Sequence, residues 1–442
     1  MKGQLLLYLK EDFISKCSIF IVLLMVAIGC GSSEKSSRDN GPSAYIPPEN
    51  QFTVPGQMNA SDLVYSVTLN RTGSPHSAPI IRLGSSQQLH LVFDLLEYDS
   101  RQLRVTFTHH NPDWSHSGLA EEFYKDGFFN LNIPIGDVSR AQRPTYRRYT
   151  YEFPNNNISF LVSGNYMLQV EDADSGNFLF SLPFFVTENE GSIRSQVETR
   201  ITPRVEGRIS HRPRSIFETP DFVTTPQFDL EFYYVQNQFW GRARKANELD
   251  TSTEGEVLFE MRQERSFVGD YEFQFLSLIE LTQQEPQIFE YGPTEIPPRV
   301  VLYDDVQGFS ASRDRVPGSS LKSPDTDLYA RYANVHFRFV PDDRISWNAN
   351  IYLVGDFNNW SIQSNYSLRF HPETGRWRTN AFMKTGTYAY KYVLVEDNEI
   401  MDLALDDSFT RTLQEYHAFV YYQDPNRFYY RLLQTNNFFE NS

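Results

Sequence analysis

The stretch PIIRLGSSQQLHLVFD (residues 79–94), followed by LRVTFTHHNPDW (103–114), decides the fold of this chain. Leu89, Leu91 and Phe93 alternate with His90, Val92 and Asp94, and Leu103, Val105 and Phe107 alternate with Arg104, Thr106 and Thr108. Successive strand residues point to opposite faces, so each segment is expected to pack one face and wet the other. Short segments of this kind, separated by turn clusters such as LGSSQQ and NNN, are what an antiparallel β-sandwich requires.

The same pattern extends outward. FDLEFYYVQNQFW (228–240), YEFQFLSLIEL (271–281), ANVHFRFV (333–340), NIYLVGDFNNW (350–360) and KTGTYAYKYVLV (384–395) read as strands, and HPETGRWRTNAFM (371–383) reads as a hairpin. Aromatic residues are 15% of the chain and no long stretch carries helical periodicity, so the expected class is all-β: tandem Ig-like or early-set β-sandwiches. A length of 442 residues suits about three domains. Composition breaks place them at residues 62–187, 192–323 and 327–435, with a Pro-punctuated middle, PTEIPPRVVLYDD (293–305), whose strand pairing is not readable. Gly164-Asn165-Tyr166 and Gly386-Thr387-Tyr388 each open a strand. In Ig-like sandwiches that pattern often marks a corner whose phenol bonds back to the backbone.

The amino terminus reads as a processing segment. Lys2, Lys10 and Lys16 precede an apolar run, SIFIVLLMVAI (18–28), that is too short to span a bilayer. It ends at Gly29-Cys30 and resembles a lipobox, which implies a lipoprotein signal peptide over residues 1–29 and a mature chain lipidated at Cys30. Residues 30–61, rich in Ser, Asn, Pro and Gly, are then a flexible tether. The only other cysteine, Cys17, falls in the leader, so no intrachain disulfide is expected. A net charge of −16 argues against nucleic acid and against an anionic lipid surface as partners, so membrane attachment is expected to come from acyl chains alone.

Candidate chemistry is sparse. His109, His110, Asp113 and His116 form the one close cluster of ligand-type residues. Adjacent histidines on an extended strand point to opposite faces, and Asn111-Pro112 turns the chain, so no metal site is expected. No phosphate loop, nucleophile elbow or zinc-protease helix occurs, and Asp304-Asp305 and Asp342-Asp343 are adjacent pairs that do not flank a substrate. The expectation is therefore a protein without catalytic residues or a cofactor.

Four blocks together resemble the plug proteins of the bacterial type IX secretion system: PIIRLGSSQQLHLVFD, HHNPDW, YKDGFFN (124–130) and FPNNNISFLVSGNYMLQV (153–170). The resemblance continues in order through VQNQFWGRA (235–243), GDYEFQFLSL (269–278), PDTDLYARYANVHFRF (324–339) and YLVGDFNNW (352–360). It implies a non-enzymatic plug that docks on the periplasmic mouth of the large outer-membrane translocon β-barrel and closes it. It also implies that His109, Asp113 and Trp114 are a structural signature, with Trp114 as core anchor. The localisation implied is the outer membrane, lipid-anchored. Glu34 is the lone acid just after Cys30, which favours a periplasmic orientation.

The segment Val354 to Trp360 resembles, in addition, the sugar-presenting turn of glycogen-binding early-set sandwiches, with Lys391 at the place of a sugar-bonding lysine. Trp360 and Lys391 are accordingly candidate glycan or partner contacts. The second stacking aromatic is replaced near Ile400, so glycan binding is disfavoured. The alternative function is a glycan-binding lipoprotein of a polysaccharide-uptake system, which should show a flat face of exposed aromatics around Trp360.

Overall fold

A computed structural model describes residues 51–440 apart from 59–61, 76, 129–130, 142–143, 202–208, 270, 309–327, 398, 402, 407–412 and 428. The expected leader, Cys30 and most of the tether lie outside the described residues. The chain is all-β, and among the described residues its two α-helices, Glu121–Tyr124 and Pro226–Asp229, are single turns. No helix among the described residues is long and apolar enough to cross a membrane.

The first sandwich places strands Val64–Arg71, Leu89–Leu95, Arg147–Phe153 and Asp137–Val138 in one sheet. Its other sheet orders Ile80–Arg82, Phe178–Thr187, Gly164–Asp172, Leu103–His110 and Leu131–Ile133. The alternation that predicted these strands fills the core: Leu89, Leu91, Phe93, Leu103, Val105 and Phe107 are all at most 1% exposed. Both Gly-x-Tyr corners form. Tyr166 donates its phenol proton to Val162 O at 2.8 Å, and Tyr388 donates to Lys384 O at 2.7 Å.

The strand pairing does not respect the break expected between residues 323 and 327. Strand Arg299–Val306, placed by the sequence in the middle domain, pairs in parallel with Tyr332–Val340 of the last one. Gln274–Ser277 likewise pairs with Thr387–Glu396. The third sandwich therefore begins near residue 274, and Leu276, Leu302, Val335, Phe337 and Leu353 share its core. Conversely, Glu415–Gln423 and Tyr430–Phe439 leave the third sandwich and complete the second, where Glu415–Gln423 pairs with Leu230–Gln236. Alternation reports which face of a strand is buried and not which distant strand lies beside it, so these exchanges were hidden.

The described residues all belong to one compact unit. Two apolar clusters join its sandwiches. One gathers Val54, Trp114, Met167, Phe185, Trp240 and Phe419, and the other gathers Phe52, Phe239, Tyr271, Phe273, Tyr352 and Val393. The segment carrying Phe52 and Val54, expected as the end of the flexible tether, instead packs into both, because its apolar side chains fill the joints between sandwiches. It passes so close to Gly241 that a β-carbon there would lie 2.1 Å from Thr53 O, which only glycine permits.

Candidate functional site

The junction of the three sandwiches holds the densest chemistry. Between the first and third lies Asp94, which stands near the end of strand Leu89–Leu95 on the face expected to be wet, yet is fully buried. The third sandwich covers that face. Lys384 Nζ lies 2.6 Å from Asp94 Oδ2, Arg148 Nε lies 3.1 Å from Oδ1, and the Tyr332 hydroxyl donates to Oδ2 at 2.8 Å. The side chains of Asp94 and Lys384 are both 0% exposed. The ammonium also sits 4.2 Å above the ring centre of Tyr146, whose own hydroxyl donates to Ala330 O at 3.0 Å. A carboxylate of the first sandwich is thus neutralised by a lysine of the third, and desolvation makes each depend on the other.

The first and second sandwiches are tied in the same manner. Arg431 grips Glu188 with Nη2 to Oε2 at 2.6 Å and Nε to Oε1 at 2.9 Å, and these hydrogen bonds hold the guanidinium pKa above its ordinary value. Tyr421 donates to Asn165 Oδ1 at 2.6 Å. Beside these contacts lies a cleft of about 170 Å³, lined from all three sandwiches by Thr68 and Pro183, Phe239 and Trp240, Trp360 and Tyr388.

The signature block is structural in its contacts. His109 is 0% exposed and its Nε2 faces Ser163 O at 3.0 Å, while burial pushes its pKa down to about 4. A β-carbon on Gly164, which has φ +142°, would lie 2.4 Å from that nitrogen. His110 turns to the opposite face, with Nδ1 2.9 Å from Trp114 O, and Asp113 Oδ1 caps the turn by accepting from Ser115 N and Oγ. Among the described residues no group of three His, Cys, Asp or Glu side chains converges as a metal site. Trp114 is 7% exposed, but its neighbours are Phe185 and the cluster joining the first and second sandwiches. It anchors a junction rather than the interior of its own sandwich.

Of the two candidate glycan contacts, Lys391 is turned inward and Trp360 is half-buried, its ring engaged by an apolar cluster at the edge of the cleft. Trp360, held at φ +59° after Asn359 at φ +50°, donates its indole proton to Asp356 Oδ1 at 3.1 Å. Phe52, Phe239 and Phe273 meet its ring at 6.1, 5.1 and 5.5 Å, and each of the three is under 5% exposed. Lys391 is 3% exposed, paired to Asp406 and donating to Glu272 O at 3.2 Å. Ile400 is buried in the same cluster. The flat exposed aromatic face that the glycan alternative needs is absent around Trp360 among the described residues. Sequence reasoning missed Asp94, Arg148, Tyr332 and Lys384. The one signal available was a lysine two residues before the glycine of a Gly-x-Tyr corner, in KTGTY.

The described residues form an all-β body of three joined sandwiches. Residues 64–188 match the family model of the Type 9 secretion system plug protein 1st domain, so the first sandwich is a domain of that family. A crystal structure of a hypothetical protein from Parabacteroides merdae ATCC 43184 shares the fold, with a TM-score of 0.78, 22% identity, and coverage of 88% of this chain and 100% of that one. A biofilm-associated protein BSP domain aligns over 87% of this chain and 60% of its own at 8% identity, and its TM-score of 0.16 carries no argument. No curated protein matches the chain.

Proposed function

We propose that this protein is a non-enzymatic plug of the type IX secretion system: a lipoprotein, acylated at Cys30 and facing the periplasm, that docks on the mouth of the outer-membrane translocon barrel and closes it. The observation that carries this reading is the family match of residues 64–188. The junction supports it physically. A lid must resist deformation, and three sandwiches coupled through a buried Asp94–Lys384 pair, a bidentate Glu188–Arg431 pair and two aromatic clusters form a body that cannot hinge without breaking desolvated contacts. For about 400 residues such a body has a radius of gyration of about 21 Å, which suits the mouth of a large barrel. Docking that is tight yet releasable calls for an interface at or above the standard size of about 1,600 Å². Copurification from native membranes tests the reading.

A further inference from the structure

The outer face of one sheet of the third sandwich carries an arrangement that packing does not explain. Its strands run in the order Ile288–Gly292, Arg299–Val306, Tyr332–Val340, Arg376–Lys384 and Arg369–His371. In register across four of them lie Asp304, Arg338, Arg378 and Arg369, so three arginines stand directly opposite one another on adjacent strands. Like charges so placed repel and cost stability. Arg376, two residues from Arg378, adds a fourth guanidinium.

One carboxylate serves this group. Asp304 Oδ2 accepts from Arg376 Nη2 at 2.6 Å and Nε at 2.8 Å, and Oδ1 lies 3.1 Å from Arg338 Nε. Arg378 reaches only a hydroxyl, Thr374 Oγ1, through Nη2 at 3.0 Å, and its buried Nε has no hydrogen-bond partner. Among the described residues neither Arg378 nor Arg369 forms a contact ion pair, although the Arg378 charge helps hold the carboxyls of Asp304 and Glu373 below their ordinary range. His371 and Glu373, at the hairpin tip beyond the row, pair with each other at 3.1 Å. On a chain of net charge −16, this face is locally cationic.

Beside the row stand two exposed aromatics. Phe289 and Tyr303 are 48% and 54% exposed, their rings meet edge-on at 5.5 Å, and the Arg338 guanidinium stacks 4.5 Å over Phe289. Val306, on the same strand as Tyr303, is also exposed. Guanidinium forks match phosphate oxygens two at a time. Half-exposed aromatic rings next to cations suit a membrane interface, where one end is apolar and the other wet. The face is the outer surface of a sheet, and its four arginines line neither the cleft at the junction nor the one beside Arg242 and Tyr271, which argues against a small molecule or a groove-bound peptide.

We propose that this face, centred on Arg338, Arg369, Arg376 and Arg378, binds the phosphate headgroups of an anionic lipid surface. The overall negative charge does not prevent this, because charges more than a Debye length of about 8 Å from the bilayer are screened at physiological salt. The 21 residues from Cys30 to Asn50 can span at most about 70 Å, enough for any face of the body to meet a membrane to which Cys30 is fixed. The inference goes beyond the plug reading and rests on it only for the acylation at Cys30 that sets this reach; the binding itself is tested without the acyl chain.

The test is vesicle cosedimentation of the full chain as Cys30→Ser, so that no acyl chain contributes. It should sediment with vesicles containing phosphatidylglycerol and not with pure phosphatidylcholine. Arg369→Ser with Arg378→Ser should weaken binding by roughly tenfold or more, each arginine near an anionic surface being worth about fivefold. The urea midpoint of that double variant should be unchanged or higher, since it relieves repulsion and breaks no ion pair. Arg194→Ser with Arg214→Ser, which removes equal charge from the second sandwich, should leave binding intact. No binding to anionic vesicles, equal loss in both double variants, full competition by inorganic phosphate, or capture of a polyglutamate peptide in place of vesicles would each overturn the proposal.

Discussion

Replacing Asp94 by Asn is the most revealing perturbation of the junction. The side chain is 0% exposed and its two oxygens face Lys384, Arg148 and Tyr332, so the substitution leaves a fully buried ammonium and a guanidinium 7% exposed without their carboxylate. Removing one partner of a buried pair costs about 3–5 kcal/mol, because the remaining charge stays desolvated. Because both cations lose this carboxylate at once, Asp94→Asn belongs at the top of that range. Lys384→Met strands only the carboxylate, which Arg148 still neutralises and Tyr332 still donates to, so it should cost less, about 1–3 kcal/mol. Urea unfolding of both single variants and the double variant measures the two costs, and the coupling between them should be about 0.5–3 kcal/mol. An Asp94→Asn cost under about 1 kcal/mol, or a Lys384→Met cost equal to it, would refute the view that this carboxylate holds the first and third sandwiches together.

Three further outcomes follow from the same contacts. Trp114→Ala should destabilise the protein by about 3–5 kcal/mol, as truncation of a buried Trp does, and should expose the joint between the first and second sandwiches to limited proteolysis; a variant as stable and as resistant as wild type would contradict its placement. Burial holds the His109 pKa near 4 against about 6.5 unfolded, so between those values the unfolded chain binds the extra proton. The resulting stability, about 3 kcal/mol, should be complete above pH 6.5 and fade as pH falls through 4, and urea midpoints of His109→Gln should lack that share of the slope. Calorimetry with maltoheptaose should register no binding, because Trp360 and Lys391 are engaged internally; a micromolar dissociation constant abolished by Trp360→Ala would restore the glycan alternative.

Much of the first sandwich was legible because its strands are half-buried and follow a period of two. Leu89, Leu91 and Phe93 announce their face, and Tyr166 announces its corner. What the sequence concealed is contact between surfaces. Val92 and Asp94 sit on the face that alternation assigns to water, and they are buried because another sandwich lies on it. Trp114 is apolar and buried as its type suggests, yet nothing local tells whether its neighbours come from within the sandwich or across a joint. Trp360 illustrates the reverse. The turn chemistry of Gly355 to Asn359 is readable, with Asn358 Oδ1 accepting from Gly355 N at 2.9 Å, but the partners of the indole, Phe52 and Phe239, lie more than a hundred residues away. The arginine row was equally hidden, since Arg338, Arg369 and Arg378 become neighbours only once strand register is fixed.

The most direct test of the plug reading is affinity isolation of the protein from native outer membranes under mild detergent, with the copurifying proteins identified by mass spectrometry at low and high salt. The account predicts one dominant partner, the giant translocon barrel of the type IX system, retained at high salt because the interface of a net-negative chain with a barrel mouth should rest mainly on buried apolar area. Recovery of sugar transporters with no secretion barrel would contradict it.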